Sequence, residues 1–257
     1  MGELKAVLFD VDGTLAETER HGHLVAFNQA FKAFGLDWEW SPELYGKLLA
    51  VTGSLERTRH YVDAYAAEYK HINADLTALI AELIEVKNQA YVDIVNRGCI
   101  PLRPGVARVL REVHESEIQM AIVTTTSEQN VRALLENNMG EDVLDWFSVV
   151  AAGNIVSNKK PAPDIYELAL NKLDLPANQC LAIEDSENGV KSAAAAGVPA
   201  MVVLSEYSTG HDLDGATLIV DRWAGENGMP VKVVAGDMGQ HREVNLGLLK
   251  EIIQQDY

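Results

Sequence analysis

The chain has 257 residues, with 21 Lys and Arg against 38 Asp and Glu. The resulting formal charge of −17 argues against nucleic acid or an anionic membrane surface as a partner and obliges any anionic ligand to find a locally positive site. Two cysteines, Cys99 and Cys180, far apart and without metal-like spacing, argue against a disulfide scaffold and predict two buried thiols in a reducing compartment.

The length suffices for one large domain or for a core with a smaller companion. The opening "MGELKAVLFD" is too short and too acidic for a secretory signal, and no window approaches the roughly 18 apolar residues of a membrane span. A cytoplasmic protein acting as a monomer is the expectation. The first apolar run, "AVLFDV" (6–11), has the length of a buried strand. From residue 17 to about 100 no strand-like run follows; "HLVAFNQAFKAFG", "ERTRHYVDAYAAEY" and "LTALIAELIEVKNQAYVDIVN" show helical periodicity instead. This insertion is entered at "LAETE" and left at "RGCIPLRPG", whose Gly and Pro residues form loops. The chain thus divides into a core of residues 1–16 plus 102–257 and a helical unit of 17–101, whose two crossings at one place suggest a hinged cap. Beyond it, strands "MAIVT" (120–124), "SVVAA" (148–152), "LAIED" (181–185) and "AMVVL" (200–204) alternate with the helices "VARVLREVHES", "EQNVRALLENN", "PDIYELALNKL" and "ENGVKSAAAAG". Continuous apolar strands alternating with helices predict an α/β fold with a parallel sheet, and ligands of such sheets gather at the carboxyl ends of the strands. In the tail, "STGHDLDGATLIV" suggests a sixth strand, "GENGMPVKVVAGDMG" a loop or hairpin, and "VNLGLLKEIIQQ" a closing helix.

Asp10 and Asp12 stand two apart in an extended segment, so both carboxyls face one small volume. At about 4 Å and an effective dielectric near 20, two unit charges repel by roughly 4 kcal/mol, so either one carboxyl is protonated or a cation sits beside them. A hard divalent ion such as Mg2+ suits oxygen ligands of this kind; the plain alternative is a solvated Asp-Gly turn. "LAIEDSENG" brings a second acidic pair, Glu184 and Asp185, to another strand end. "VTTTS" adds hydroxyls and amides at Thr124 to Thr126, and "SNKKPAPDIY" adds Lys159 and Lys160. Together these residues supply a nucleophile, a metal site, an oxyanion donor and a fixed cation.

In order, "DVDGT", Thr124, Lys160 within "KKPAPDIY" and "EDSENG" resemble the four motifs of the haloacid dehalogenase (HAD) superfamily over nearly the whole chain. The helical insertion is similar to the cap of the β-phosphoglucomutase-like branch. "FDVDGTLAETE", "AFNQAF", "GLDWEW", "AIVTTTS" and "IEDSENGV" look most like the CbbY-type phosphatases, which are linked to sugar bisphosphates, notably xylulose 1,5-bisphosphate. The resemblance implies a Rossmann-like HAD core with an inserted all-helical cap and an Mg2+-dependent phosphatase acting on a small sugar phosphate. Asp10 would attack phosphorus to form an aspartyl-phosphate, and Asp12 would serve as general acid and then base, with Thr14 helping to orient its loop. Mg2+ would be bound by the Asp10 carboxylate, the Asp12 main-chain carbonyl and Asp185, with Glu184 in or next to its shell. Lys160 and the Thr124 hydroxyl would hold the phosphoryl oxygens, with Thr125 and Asn188 also on the substrate side.

For a second phosphate, the same resemblance places Gly53 and Arg57 of "TGSLER" in a phosphate-reading turn, and Lys87 and Asn88 on a helix facing the site. His23 aligns with the hinge histidine of that branch only with one residue inserted in "ERHGH"; the alternatives are His21 or neither. Glu17 either touches substrate hydroxyls or solvates the hinge. Tyr61, Tyr65 and Tyr69, with the "GLDWEW" aromatics, are read as packing rather than as a sugar platform. A phosphomutase shares all the core residues, and a noncatalytic phosphate-binding module is the reading from another class.

Overall fold

The structure, a computed structural model, describes residues 2–69, 76–225 and 229–254. The first strand, β1 (Ala6–Phe9), runs into a loop and a wide helical turn, Glu19–His23. Helices α1 (Leu24–Ala33), α2 (Pro42–Leu48), α3 (Ser54–Tyr65) and α4 (Leu76–Asn96) follow. The chain then alternates: α5 (Val106–His114), β2 (Gln119–Thr124), α6 (Glu128–Met139), β3 (Val149–Ala152), α7 (Asp164–Leu173), β4 (Cys180–Glu184), α8 (Glu187–Ala195) and β5 (Ala200–Val203). Two short strands, β6 (Leu218–Val220) and β7 (Val233–Ala235), and a closing helix α9 (Leu246–Gln254) complete it.

The seven strands form one sheet in the order β3-β2-β1-β4-β5-β6-β7, parallel throughout except for the antiparallel β6/β7 edge. The fold is α/β with a mostly parallel sheet, as the continuous apolar runs predict. β1, β4 and β5 are wholly buried because helices cover both faces. Alternation along β1 assigns the layers: Val7 and Phe9 pack with Val106, Val109, Leu110, Leu249 and Ile252, while Ala6 and Leu8 pack with Ile165, Tyr166 and Ala169. The sixth strand expected in "STGHDLDGATLIV" is β6, and the stretch read as a loop or hairpin contributes one strand, β7, paired with it; residues 226–228 of that stretch lie outside the described residues. The expectation of two buried thiols is half met: Cys180 is buried in β4 and Cys99 is exposed, since the "RGCIPLRPG" exit runs over the surface.

Helices α1 to α4 pack around their own aromatic cluster of Phe27, Phe31, Trp38, Trp40, Tyr45 and Tyr61. Tyr61 and the two tryptophans are thus packing residues; Tyr69 packs against Trp38 while its hydroxyl bonds Asp37, and the exposed Tyr65 stacks on Tyr61. Tyr91, Ile94 and Val95 at the end of α4 join the main core instead. Among the described residues no helix is long and apolar enough to cross a membrane.

Register fixes where the chemistry falls. Phe9 is level with Ile122 on one side and Ile183 on the other, so Asp10, Thr124, Glu184 and Asp185 leave the sheet at one edge. From β1 the chain winds outward through β2 and β3, then returns to β4 on the other flank of β1. The crevice at that reversal is where a sheet of this kind holds its ligand.

Candidate active site

Lys160 is the hub of the site. Buried just before α7, its Nζ donates to Asp10 Oδ1 at 2.8 Å, to Glu184 Oε1 at 2.6 Å and to the Val123 carbonyl at 2.9 Å. Its ammonium lies 5.5 Å from the centre of the Tyr166 ring, and the Tyr166 hydroxyl donates to the same Glu184 oxygen at 2.5 Å. Burial drives the Asp10 carboxyl up to about 7 and Glu184 adds to this, although the Lys160 charge pulls it down. The same two carboxylates raise the Lys160 ammonium despite its own burial.

Asp12 has different company. Its Oδ1 accepts from Thr18 Oγ1 at 2.5 Å and from His23 Nε2 at 3.0 Å, while His23 Nδ1 lies 2.8 Å from Lys87 Nζ and the imidazole stacks on Tyr91. A protonated Lys87 can only donate, so Nδ1 accepts and the imidazole is the Nε2–H tautomer that donates to Asp12. Burial opposes charge on Asp12, but His23, Thr18 and Lys87 outweigh it and hold the carboxyl down at about 2. Burial in turn lowers Lys87 to about 8, against the pull of Asp12 and Glu19.

Asp185 begins the loop after β4. Ser205 Oγ donates to its Oδ2 and Ser208 Oγ to its carbonyl, both at 2.6 Å. Ser186 caps α8 immediately beyond. Two glycines permit the crowding: Gly13 (φ +81°) runs so close to Asp185 that a Cβ would collide with its carboxylate, and a Cβ at Gly189 would collide with that of Glu184.

Carboxylate oxygens of Asp10, Glu184 and Asp185 lie within 4.8 Å of one another, and Glu184 Oε2 has no hydrogen-bond partner among the described residues. Burial first, and Asp10 next, push Asp185 well above the usual carboxylate range. A hard, all-oxygen donor set of this kind fits Mg2+, whose charge would relieve the repulsion. The Asp12 carboxylate is not in this group, which leaves its main-chain carbonyl as its only route to a metal.

The mouth is a cavity of about 670 Å³ lined by Asp10, Asp12, Thr124, Lys160 and Asp185 on one side and by Arg57 and Glu19 on the other. Arg57 is buried, its Nη1 on the Tyr45 hydroxyl at 3.0 Å and its Nε on the Val51 carbonyl; Tyr45 in turn bonds Glu19. Thr124 is buried and accepts from the Thr126 amide, while Thr125 borders both this cavity and a smaller one of about 180 Å³ lined by Lys87 and Asn88. Gly53 (φ +96°) starts α3 beside the ion pair between Lys159 and Glu56. Asn188 reaches across to the Ala50 carbonyl and Thr52 Oγ1. His23 lies against Asp12, and His21 faces Glu206 at the surface. Glu17 pairs with Arg103, accepts from the Glu206 amide and does not line this cavity. Thr14 is buried with no partner for its hydroxyl among the described residues; Trp223 grips its carbonyl instead.

Sequence reasoning did not single out Glu19, Tyr45, Ser205, Ser208 or Trp223. Tyr166 stood inside a quoted motif, but nothing in the spacing tied its hydroxyl to Glu184.

Residues 4–197 match the family model of haloacid dehalogenase-like hydrolases. Protein CbbY of Rhodobacter capsulatus is 45% identical over 214 residues, covering 83% of this chain and 91% of the relative. The plasmid-encoded CbbY of Cupriavidus necator is 42% identical over 220 residues, covering 84% and 85%. The crystal structure of a CbbY mutant from Rhodobacter sphaeroides in complex with xylulose-(1,5)bisphosphate is 40% identical with a TM-score of 0.78, covering 85% of this chain and 94% of that one. The chain belongs to the haloacid dehalogenase-like hydrolase family, as a CbbY-like phosphatase.

Proposed function

We propose that the chain hydrolyses a small sugar bisphosphate, with xylulose 1,5-bisphosphate as the first candidate, through an aspartyl-phosphate on Asp10, and that residues 17–101 act as a cap over the core. The carrying observation is that Asp10 and Asp12, two residues apart, sit in opposite surroundings: Asp10 against Lys160 in the acidic group, Asp12 drawn away to Thr18 and His23. One serves as nucleophile and the other handles protons.

Asp10, Glu184 and Asp185 would hold Mg2+, which supplies charge neutralisation for the incoming phosphoryl oxygens. Lys160 and Thr124 hold those oxygens, and Lys160 remains fixed because Glu184 and the Val123 carbonyl anchor it. Asp10 attacks phosphorus as the bond to the sugar oxygen breaks, and that oxygen takes its proton from the minor form of Asp12 that carries one at Oδ2, leaving Asp12 ionised. Water then cleaves the acyl phosphate as Asp12 Oδ2 receives its proton. The ionised Asp12 held by Thr18 and His23 at Oδ1 is the form required for this second step. Arg57, across the same cavity from Lys160, is the cation for the second phosphate. The bisphosphate complex of the R. sphaeroides relative supports the substrate class.

The test is free phosphate released from xylulose 1,5-bisphosphate with Mg2+, set against glucose 6-phosphate formed from β-glucose 1-phosphate. Phosphate release is expected, lost in Asp10→Asn. Mutase turnover without phosphate release would replace this reading by a phosphomutase, and inactivity on both would leave a binding module.

A further inference from the structure

We infer that the segment Ser205–Ser208 is a strap of positioning residues through which docking of the helical unit sets the geometry of Asp185. The inference rests on the reading that Asp185 helps to hold a divalent cation. The two ends of the strap face the core: Ser205 Oγ and Ser208 Oγ bond the carboxylate and the carbonyl of Asp185, lie 3.0 Å from each other, and are braced by the Ser205 amide donating to Ser208 Oγ at 2.8 Å. The two middle residues face the helical unit. The Glu206 carboxylate meets His21 at 3.4 Å and Arg20 at 3.7 Å. The Tyr207 ring stands edge-on to Tyr45, 6.0 Å between centres, and lies against Gly46 of α2.

The strap cannot relax independently at its upstream end. Arg103, on the linker leaving the helical unit, donates to the carbonyls of Gly13, Val203 and Leu204 and pairs with Glu17 on the entering linker. Both linkers, the loop after Asp10 and the residues just before the strap therefore share one half-buried guanidinium. If the helical unit swings away, Tyr207 and Glu206 lose their partners, and the two serines that flank them lose the support that aims them at Asp185. By linkage, whatever holds Asp185 in place favours the docked helical unit to the same extent. The Glu206 ion pairs are exposed and weak, so Tyr207 carries most of the coupling.

Mn2+ serves as a paramagnetic probe, titrated into the metal-free full chain without substrate and read by electron paramagnetic resonance. Tyr207→Ala is expected to weaken Mn2+ binding about fivefold or more, the lower end of typical coupling. Ser205→Ala, which removes a hydrogen bond to the carboxylate itself, weakens it about tenfold or more. Gly46→Ala keeps α2 helical, crowds the Tyr207 ring, and is expected to weaken binding in the same direction. Circular dichroism and melting confirm that each variant is folded; should Tyr207→Ala not fold, Gly46→Ala decides. Wild-type Mn2+ affinity in the folded variants of Tyr207 and Gly46 would overturn the inference. Failure of the underlying reading looks different: wild-type protein that does not bind Mn2+, or an affinity that Asp185→Asn leaves unchanged.

Discussion

Lys160 satisfies Asp10 and Glu184 at once, at 2.8 and 2.6 Å, in a site where an unpaired carboxylate is costly. Replacing it by methionine keeps the stem and removes the charge. Lys160→Met is expected to lower kcat by a factor of about 10² to 10³, the loss seen when one donor to a developing anion is removed. It should also lower the melting temperature, both checked by steady-state kinetics and calorimetry. Lys87 gives the pH dependence. Its amine, lowered to about 8 by burial, loses its proton as pH rises through that value, and with it the donor that fixes the His23 tautomer against Asp12. Activity should therefore fall with a midpoint near pH 8. Stability moves the other way: a lysine whose folded value lies below its unfolded value penalises the fold while charged, and the penalty fades between pH 8 and 10.5. A pH–rate profile alongside thermal melts separates the two, and an unchanged alkaline limb in Lys87→Met would rule Lys87 out as its source.

At the scale of elements, the strands were legible because a strand buried on both faces must be apolar along its length. The ends of "AVLFDV" and "LAIED" then announce themselves as the places where carboxylates interrupt the run. Thr124 was legible for a related reason, since it sits where an apolar strand meets a loop, and Lys160 because it stands just before the proline-led start of a helix and reaches the same sheet edge. The hinge was not. Glu17 and Glu19 are two acidic residues in one polar stretch, and only the wide turn at Glu19–His23 directs Glu19 to Tyr45 while leaving Glu17 to Arg103. Ser205 and Ser208 resemble any loop serines, because their partner Asp185 lies about twenty positions earlier and no spacing rule connects them. The Gly13 turn combines a positive φ with an approach to Asp185 that excludes a side chain. Gly13→Ala should thus cost about 1–2 kcal/mol from the backbone alone and lose metal-dependent activity, whereas an alanine variant that melts and turns over like wild type would show that the contact is not needed.

For the whole molecule, a charge of −17 has to admit an anion. The cavity meets this with Lys160 at its core side and Arg57 at the helical side, each buried against its own carbonyl or carboxylate partners so that neither is free to be neutralised at the surface. The central claim is that Asp10 carries the phosphoryl group while Asp12 manages protons, and it is tested most directly in Asp12→Asn with para-nitrophenyl phosphate and Mg2+. The leaving group there needs no acid, so phosphorylation can proceed while the base-assisted second step is slowed by a factor of about 10² to 10⁴. Acid quenching and peptide mass spectrometry should then find a phosphoryl group on Asp10 in a large fraction of the variant. A phosphoryl group on another residue, or none on Asp10 while the variant still releases para-nitrophenol, would contradict the account.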